Sequence, residues 1–217
     1  MSAQAPDERA AIRDRDELRS SLAACRRCPA AGIRVESMPV FNAPDGPLAT
    51  LVGQAPGVRE QNSLRPFAGD AGNRLRRWLE PSGLGTPEAF YRDLQVTSIA
   101  KCFPGKRRGG SDLPPGPAMR RQCLPWLERE LALWQTPFLI SVGAMALAVL
   151  QPEATLADVG RELRAVDGRP LLALPHPSGA SPWPHLPGNA ARLDDALQLI
   201  AERFRLARGR AAPGGRG

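Results

Sequence analysis

The stretch Ala49–Leu79, ATLVGQAPGVREQNSLRPFAGDAGNRLRRWL, decides how the rest of the chain is read. It is entered through an apolar run, Leu48 to Val52, suited to a buried strand. A loop follows that carries Gly53, Gly57, Gly69 and Gly72, with Pro56 and Pro66 stiffening the backbone between them. The stretch closes on Leu75, Trp78 and Leu79, apolar positions at helical spacing. The expected order is strand, long glycine-rich loop, helix. In open α/β sheets ligands gather at the carboxyl ends of strands. A loop of this length with polar residues inside it points to function more than to an ordinary surface connection.

Outward from this stretch the same alternation recurs. Upstream, Asp14 and Asp16 precede Leu18, Leu22 and Ala23, a short helix that ends at Cys25, and Val35 to Gly46 reads as irregular loop. Downstream, Thr86 to Asp93 suits a short helix with Thr86 as its cap and Pro87 at its first position. Leu94 to Ala100 (LQVTSIA) is rich in β-branched residues and reads as a second strand. A helix is expected from Pro117 to about Gln135, kinked or interrupted at Pro125. Thr136 to Val142 gives a third strand and Gly143 to Leu150 its helix, while Arg169 to Leu174 gives a fourth strand. The last helix runs from Asn189 to about Leu206, with Leu193, Leu197, Ile200 and Phe204 on one face. Strands alternating with helices imply an α/β fold. The expectation is a single three-layer domain, residues 14–206, with a four-stranded parallel sheet flanked by helices. Residues 1–13 and the basic 207–217 are read as flexible tails.

The 217 residues hold 42% hydrophobic side chains, enough for one real core. The net charge of +7, mostly from arginine, suits a polyanionic partner, although arginine-rich composition alone does not establish one. The first thirty residues are charged and lack an apolar segment, so no secretory signal is expected, and no apolar run is long enough to span a membrane. A cytoplasmic, monomeric protein is expected. In that reducing setting its four cysteines suit metal ligation better than disulfides. Cys25 and Cys28 form a CxxC pair at a helix end, while Cys102 follows the second strand and Cys123 sits on the next helix. Four thiolates serve a tetrahedral Zn²⁺ or a [4Fe–4S] cluster equally well.

Three loops at strand carboxyl ends carry unusual chemistry: GQAPG at Gly53 to Gly57, SIAKC ending at Cys102, and Pro175-His176-Pro177-Ser178-Gly179. With PFAGDAG at Pro66 to Gly72 and the cysteines already named, this order of motifs resembles the uracil-DNA glycosylase superfamily. It is most similar to the iron–sulfur branch usually called family 4, over roughly Cys25 to Ile200. That family carries a GEAPG segment with a second acidic residue, a PFVGxAG segment, a KC dipeptide and a late HPS. Here they match Gly53 to Gly57 with Glu60, Pro66 to Gly72, Lys101-Cys102, and His176-Pro177-Ser178.

The resemblance implies a DNA repair enzyme that hydrolyses the N-glycosidic bond of a damaged base flipped out of DNA, with damaged DNA as its partner. It favours a [4Fe–4S] cluster over zinc on Cys25, Cys28, Cys102 and Cys123. It implies that Phe67 stacks on the base and that backbone groups of Gly53, Gln54 and Ala55 bond the base or the attacking water. Glu60 is expected to activate water or stabilise the cationic sugar, Gln54 to orient that water, and His176 to stabilise the departing base anion. Lys106, Arg107 and Arg108, with Ser178 and Gly179, are expected on DNA phosphates. The sequence departs from the family twice. Gln54 replaces the first acidic residue, and Ser98 stands where an asparagine reads the edge of uracil. A hydroxyl is one rotatable donor with lone pairs, not an amide that donates and accepts together, so other deaminated bases come into range. Some relatives trap the product through a Lys-Arg-Arg-Ile-His insert, but Arg108 here leads into Gly109-Gly110 and no trap is expected.

Overall fold

In the computed structural model, which describes residues 8–179 and 181–211, the run at the head of the central stretch is strand β1, Ala49–Gly53, buried along its whole length. Strand β2 is Leu94–Ser98, equally buried, and β3 is Leu139–Val142. A further parallel strand covers Pro170–Leu174 and is β5, because a short strand precedes it: β4, Glu162–Arg164. The order across the sheet is β2-β1-β3-β5-β4, and β4 alone runs antiparallel. The sheet thus has five strands, not the four expected. β4 escapes sequence reading because it is only three residues long, with Glu162 and Arg164 exposed and no apolar alternation. The Asp167-Gly168 turn that joins it to β5 was the available signal, with Gly168 at φ +85° as such hairpins require.

Buried β-branched and leucine side chains explain why these segments pair as a central layer. Leu51, Val52, Ile140, Val142, Leu171 and Leu172 are excluded from water, each contributing about 1.5–3 kcal/mol. The flanking helices are α4 (Asp70–Trp78), α5 (Pro87–Asp93), α7 (Ala144–Leu150) and α8 (Asn189–Ala211). Helix α5 lies against β2, α7 against β3 and α8 against β5. Thr86 caps α5 as expected, its Oγ1 accepting the Ala89 amide. The open edge of β2 is covered by the irregular segment before β1. Asn42 acts there as a one-residue strand, donating to the Tyr91 and Leu94 carbonyls and accepting the Val96 amide.

Helix α1, Glu8–Ala23, starts six residues ahead of the expected domain boundary, since Glu8 to Arg15 are mostly good helix formers. Residues 1–7 lie outside the described residues, as do 212–217 of the second expected tail, while α8 continues through Ala211. Helix α6, Pro117–Leu133, runs through Pro125 without interruption. Pro125 is exposed, so the carbonyl it frees can turn to water, and the buried Trp126 and Leu127 beside it hold the helix against the core.

One ion pair ties α6 to the sheet. Lys101 and Glu130 are 2% and 1% exposed. The Lys101 ammonium has three donors and finds three acceptors: Glu130 Oε2, Thr97 Oγ1 and the Ser98 carbonyl. Thr97 Oγ1 in turn donates to Glu130 at 2.7 Å. Removing one charge strands the other. Glu130→Gln is expected to lower stability by about 3–5 kcal/mol in urea unfolding at pH 7, and the double apolar replacement Lys101→Met/Glu130→Leu to lower it less.

Candidate functional site

The chain leaves β1 toward β2 on one side and later enters β3 on the other, so the β1/β3 boundary is the topological switch point, the place where open α/β sheets bind ligands. The carboxyl ends that border it carry the motifs. Gly53 pairs with Ser98 across β1 and β2, and Val142 with Leu174 across β3 and β5. The pairing continues past the strands: Ile99 donates to the Gly53 carbonyl, Ala100 to the Gln54 carbonyl, and Gly143 to the Leu174 carbonyl. The GQAPG, SIAKC and PHPSG loops therefore start from one rim. Both carbonyls at Gly53 and Gln54 are already engaged there.

Phe67 lies on the β1 side of this boundary. A Cβ added to Gly53 would stand 2.8 Å from its ring Cζ, so the phenyl edge rests on bare backbone. Phe67 is half-buried against the core and holds φ +55°, a left-handed conformation that costs a non-glycine residue about 1–3 kcal/mol. Its neighbours compensate. Arg76 Nη1 donates to the Phe67 carbonyl at 3.1 Å, and the Tyr91 hydroxyl donates to the Pro66 carbonyl at 2.8 Å. Arg76 is itself buried, its guanidinium 5.7 Å from the Phe90 ring centroid. Gly72 leaves the room, since a Cβ there would fall 1.7 Å from the Phe67 carbonyl oxygen. Arg76 and Tyr91 did not stand out in the sequence. Both act on backbone carbonyls, which no residue pattern announces.

Glu60 lies in helix α3, Val58–Ser63, with 8% of its surface exposed. Its Oε2 accepts the Gly57 amide and its Oε1 the Gly69 amide, each at 3.0 Å. One carboxylate therefore joins the end of GQAPG to the start of α4. Gln54 and Ala55 are half-buried at the rim. Ser98 is buried, and its hydroxyl donates to the Ala100 carbonyl at 2.6 Å, leaving only its lone pairs for a ligand.

His176 lies on the β3 side of the boundary. Gly143, at φ +87°, lets the ring approach to where a Cβ would be 3.4 Å from His176 Cδ2. The Ser178 amide donates to His176 Nδ1 at 3.2 Å. That bond requires a bare Nδ1, so the imidazole proton sits on Nε2. Burial pushes the His176 pKa down from its ordinary value. The result is a neutral, oriented donor. Next to it, Arg74 approaches Gly179, its Nη2 lying 3.8 Å from where a Cβ would stand. Beyond Cys102 the chain forms a hairpin-like turn, with a bridge between Lys106 and Asp112 and the Ser111 carbonyl accepting the Arg107 amide. Lys106, Arg107 and Arg108 are exposed there.

The four cysteines are free, and Cys28, Cys102 and Cys123 are buried. All four line one cavity of about 170 Å³, together with Val35, Met38, Lys101 and Trp126. Cys28 belongs to the short helix α2, Arg27–Ala30, and Cys123 to α6. Burial, then the nearby Cys123, pushes the Cys102 thiol up to about 12. The same two causes push Cys28 up to about 11. Burial also pushes Cys123 up, and these three thiols do not ionise near neutrality unless a cation neutralises them. Among the described residues, no group of three or more His, Cys, Asp or Glu side chains is placed to hold a single metal ion.

A family model described as the uracil DNA glycosylase superfamily matches residues 41–201. The chain belongs to that superfamily. Curated relatives named Type-4 uracil-DNA glycosylase include one from Pyrobaculum aerophilum, 26% identical over 63% of this chain and 64% of the relative. Another, from Sulfurisphaera tokodaii, is 26% identical over 59% of this chain and 54% of the relative. A third, from Thermotoga maritima, is 27% identical over 59% and 63%. The match thus spans less than two thirds of each of these relatives.

The depressed His176 pKa has a measurable consequence. The unfolded chain takes up the proton near pH 6.5, before the native state does. Stability is therefore whole above that pH and falls as pH drops through the window below it. Urea midpoints of wild type and His176→Gln measured between pH 5 and 8 are expected to diverge on the acid side, with the wild type showing the steeper loss.

Proposed function

We propose that this protein is a DNA glycosylase, a hydrolase that releases uracil or a related deaminated base flipped out of DNA. The observation that carries the reading is the pairing across the switch point: a half-buried phenyl face on the β1 side and a neutral Nε2–H donor on the β3 side. An aromatic face and a polar donor at a crevice suit an extruded nucleobase. Superfamily membership supports the same conclusion.

In this mechanism the base stacks on Phe67, whose platform Arg76, Tyr91 and Gly72 hold in its strained conformation. The C1′–N bond breaks with its electron pair leaving on the base. His176 Nε2–H donates to that developing anion. Water then adds to the cationic sugar, oriented by Gln54 and by the amide groups of Gly53 to Ala55. Ser98, with its hydrogen committed to Ala100, can only accept. That favours bases whose ring nitrogen carries a hydrogen at this edge, as deaminated bases do, over cytosine or adenine, whose ring nitrogen there is itself an acceptor. Glu60, with both oxygens on backbone amides, acts by holding the loop. Lys106, Arg107 and Arg108 meet phosphates on one side, and Ser178, Gly179 and Arg74 on the other.

The thiol cavity suits a [4Fe–4S] cluster held by Cys25, Cys28, Cys102 and Cys123. All donors are soft sulfur lining one cavity, the donor set such a cluster takes. When bound, the cluster supplies a tie between the amino-terminal segment and the root of the basic hairpin. Free thiols in this number suit a reducing compartment such as the cytoplasm, and no helix among the described residues is long and apolar enough to cross a membrane. A second reading, binding without catalysis, draws on the missing charge at Gln54 and the occupied oxygens of Glu60.

A panel of single-lesion oligonucleotides separates these readings. Alkali-cleaved product is expected at uracil or another deaminated base and not at normal bases, with His176→Ala at least about 10²-fold slower. Binding with no product at any lesion would leave the non-catalytic reading. Anaerobic purification should yield a coloured protein with about four irons per chain; a colourless, iron-free protein overturns the cluster.

A further inference from the structure

The proposed reaction lacks a mobile carboxylate: Gln54 carries no charge, and each oxygen of Glu60 is anchored by a backbone amide. We propose that Asp112 is that carboxylate, delivered to the GQAPG loop from the root of the basic hairpin. The inference rests on the glycosylase reading and deepens it.

The geometry at Gly57 points to Asp112. A Cβ placed on Gly57 would fall 2.6 Å from Asp112 Oδ2 and 3.1 Å from Glu60 Oε2. Gly57 has φ −104° and ψ −172°, an extended conformation open to any residue, so its backbone does not demand glycine. The side-chain ends of Asp112 and Glu60 close on it from two sides. Asp112 is fixed in place by the Lys106–Asp112 bridge and by the Leu113 amide donating to the Gly105 carbonyl. Its carboxylate is exposed and makes no hydrogen bond or ion pair among the described residues.

Charge makes the placement informative. Lys106, Arg107 and Arg108 suit this turn to a polyanion, and an unpaired carboxylate there repels phosphate and weakens binding. The cost is offset where that carboxylate faces a cation. The reaction makes one, at the sugar, when the base leaves. In the step proposed, the C1′–N bond breaks and its electron pair departs on the base. The oxygen of a water forms the new C1′–O bond, and that water's proton passes to Asp112. The proton then goes to solvent as the base anion takes one up, giving free base and abasic sugar.

The test compares wild type, Asp112→Asn, Asp112→Glu and the double variant Gln54→Glu/Asp112→Asn. Single-turnover excision is measured on the best lesion of the panel from pH 5 to 9, with DNA affinity by fluorescence anisotropy and urea midpoints. Asp112→Asn is expected to slow excision by at least about 10²-fold across this pH range. Its DNA affinity should be equal or tighter and its midpoint unchanged. Asp112→Glu should keep most activity, and Gln54→Glu should restore part of the rate to Asp112→Asn. If Asp112→Asn unfolds, the Asp112→Glu profile carries the comparison, and a profile identical to wild type with a rate more than about 10²-fold lower would count against the assignment. Active wild type with Asp112→Asn within threefold of its rate overturns the Asp112 assignment alone. Wild type inactive on every lesion overturns the glycosylase reading instead.

Discussion

The carboxylate of Glu60, accepting one amide from Gly57 and one from Gly69, is the constraint from which the site follows. These two glycines bracket the whole excursion between β1 and α4. Drawing them onto one side chain closes that loop and leaves little slack between them. Phe67 sits inside the closed segment in a conformation it would not otherwise hold. Charge-assisted bonds of this kind contribute about 1.5–3 kcal/mol each, comparable with the strain stored at Phe67. A flexible loop would relax that strain and let the ring swing away from Gly53. The brace, together with Arg76 and Tyr91 on the neighbouring carbonyls, makes the aromatic face a fixed surface.

A second arrangement joins this rim to the cysteine cavity. Lys101 bonds the Ser98 carbonyl on one side and Glu130 of α6 on the other, and it is followed directly by Cys102. The end of β2, the thiol after it and the helix bearing Cys123 are therefore held by one buried charge pair. Organisation of the sulfurs and organisation of the rim are mechanically the same problem here. The basic hairpin begins just beyond, so its root is fixed by the same contacts and only its exposed tip is free to follow a ligand.

The electrostatics divide by depth. Lys106, Arg107 and Arg108 are exposed on the hairpin, where a phosphate can be met at little desolvation cost, while Lys101 and Arg76 are buried on structural partners. Inside, His176 is kept neutral by burial and by the amide on its Nδ1. A cationic ring there would bind phosphate or the neutral base before any bond had broken; a neutral donor gains most as negative charge develops on the leaving group. Between these two depths, the exposed Asp112 carboxylate of the hairpin reaches back to Gly57.

The sequence by itself determined β1, β2, β3 and β5, because continuous apolar runs such as Leu48–Val52 and Thr136–Val142 suit only buried strands. It also determined the set of loops that carry chemistry, since glycine, proline, cysteine and histidine cluster where those strands stop. β4 was missed because one half-buried leucine between two exposed charges is too short to show a hydrophobic period, although Asp167-Gly168 marked its turn. What only the tertiary structure decided was which groups remain free. Glu60 looked like an available base until two amides separated by twelve residues of chain met on it. Ser98 looked like a donor until Ala100 took its hydrogen, and Asp112, which no motif singled out, is brought to Gly57 only by the fold. Local sequence sets backbone preference and burial, while the occupation of a hydrogen-bonding group depends on partners that distant parts of the chain bring to it.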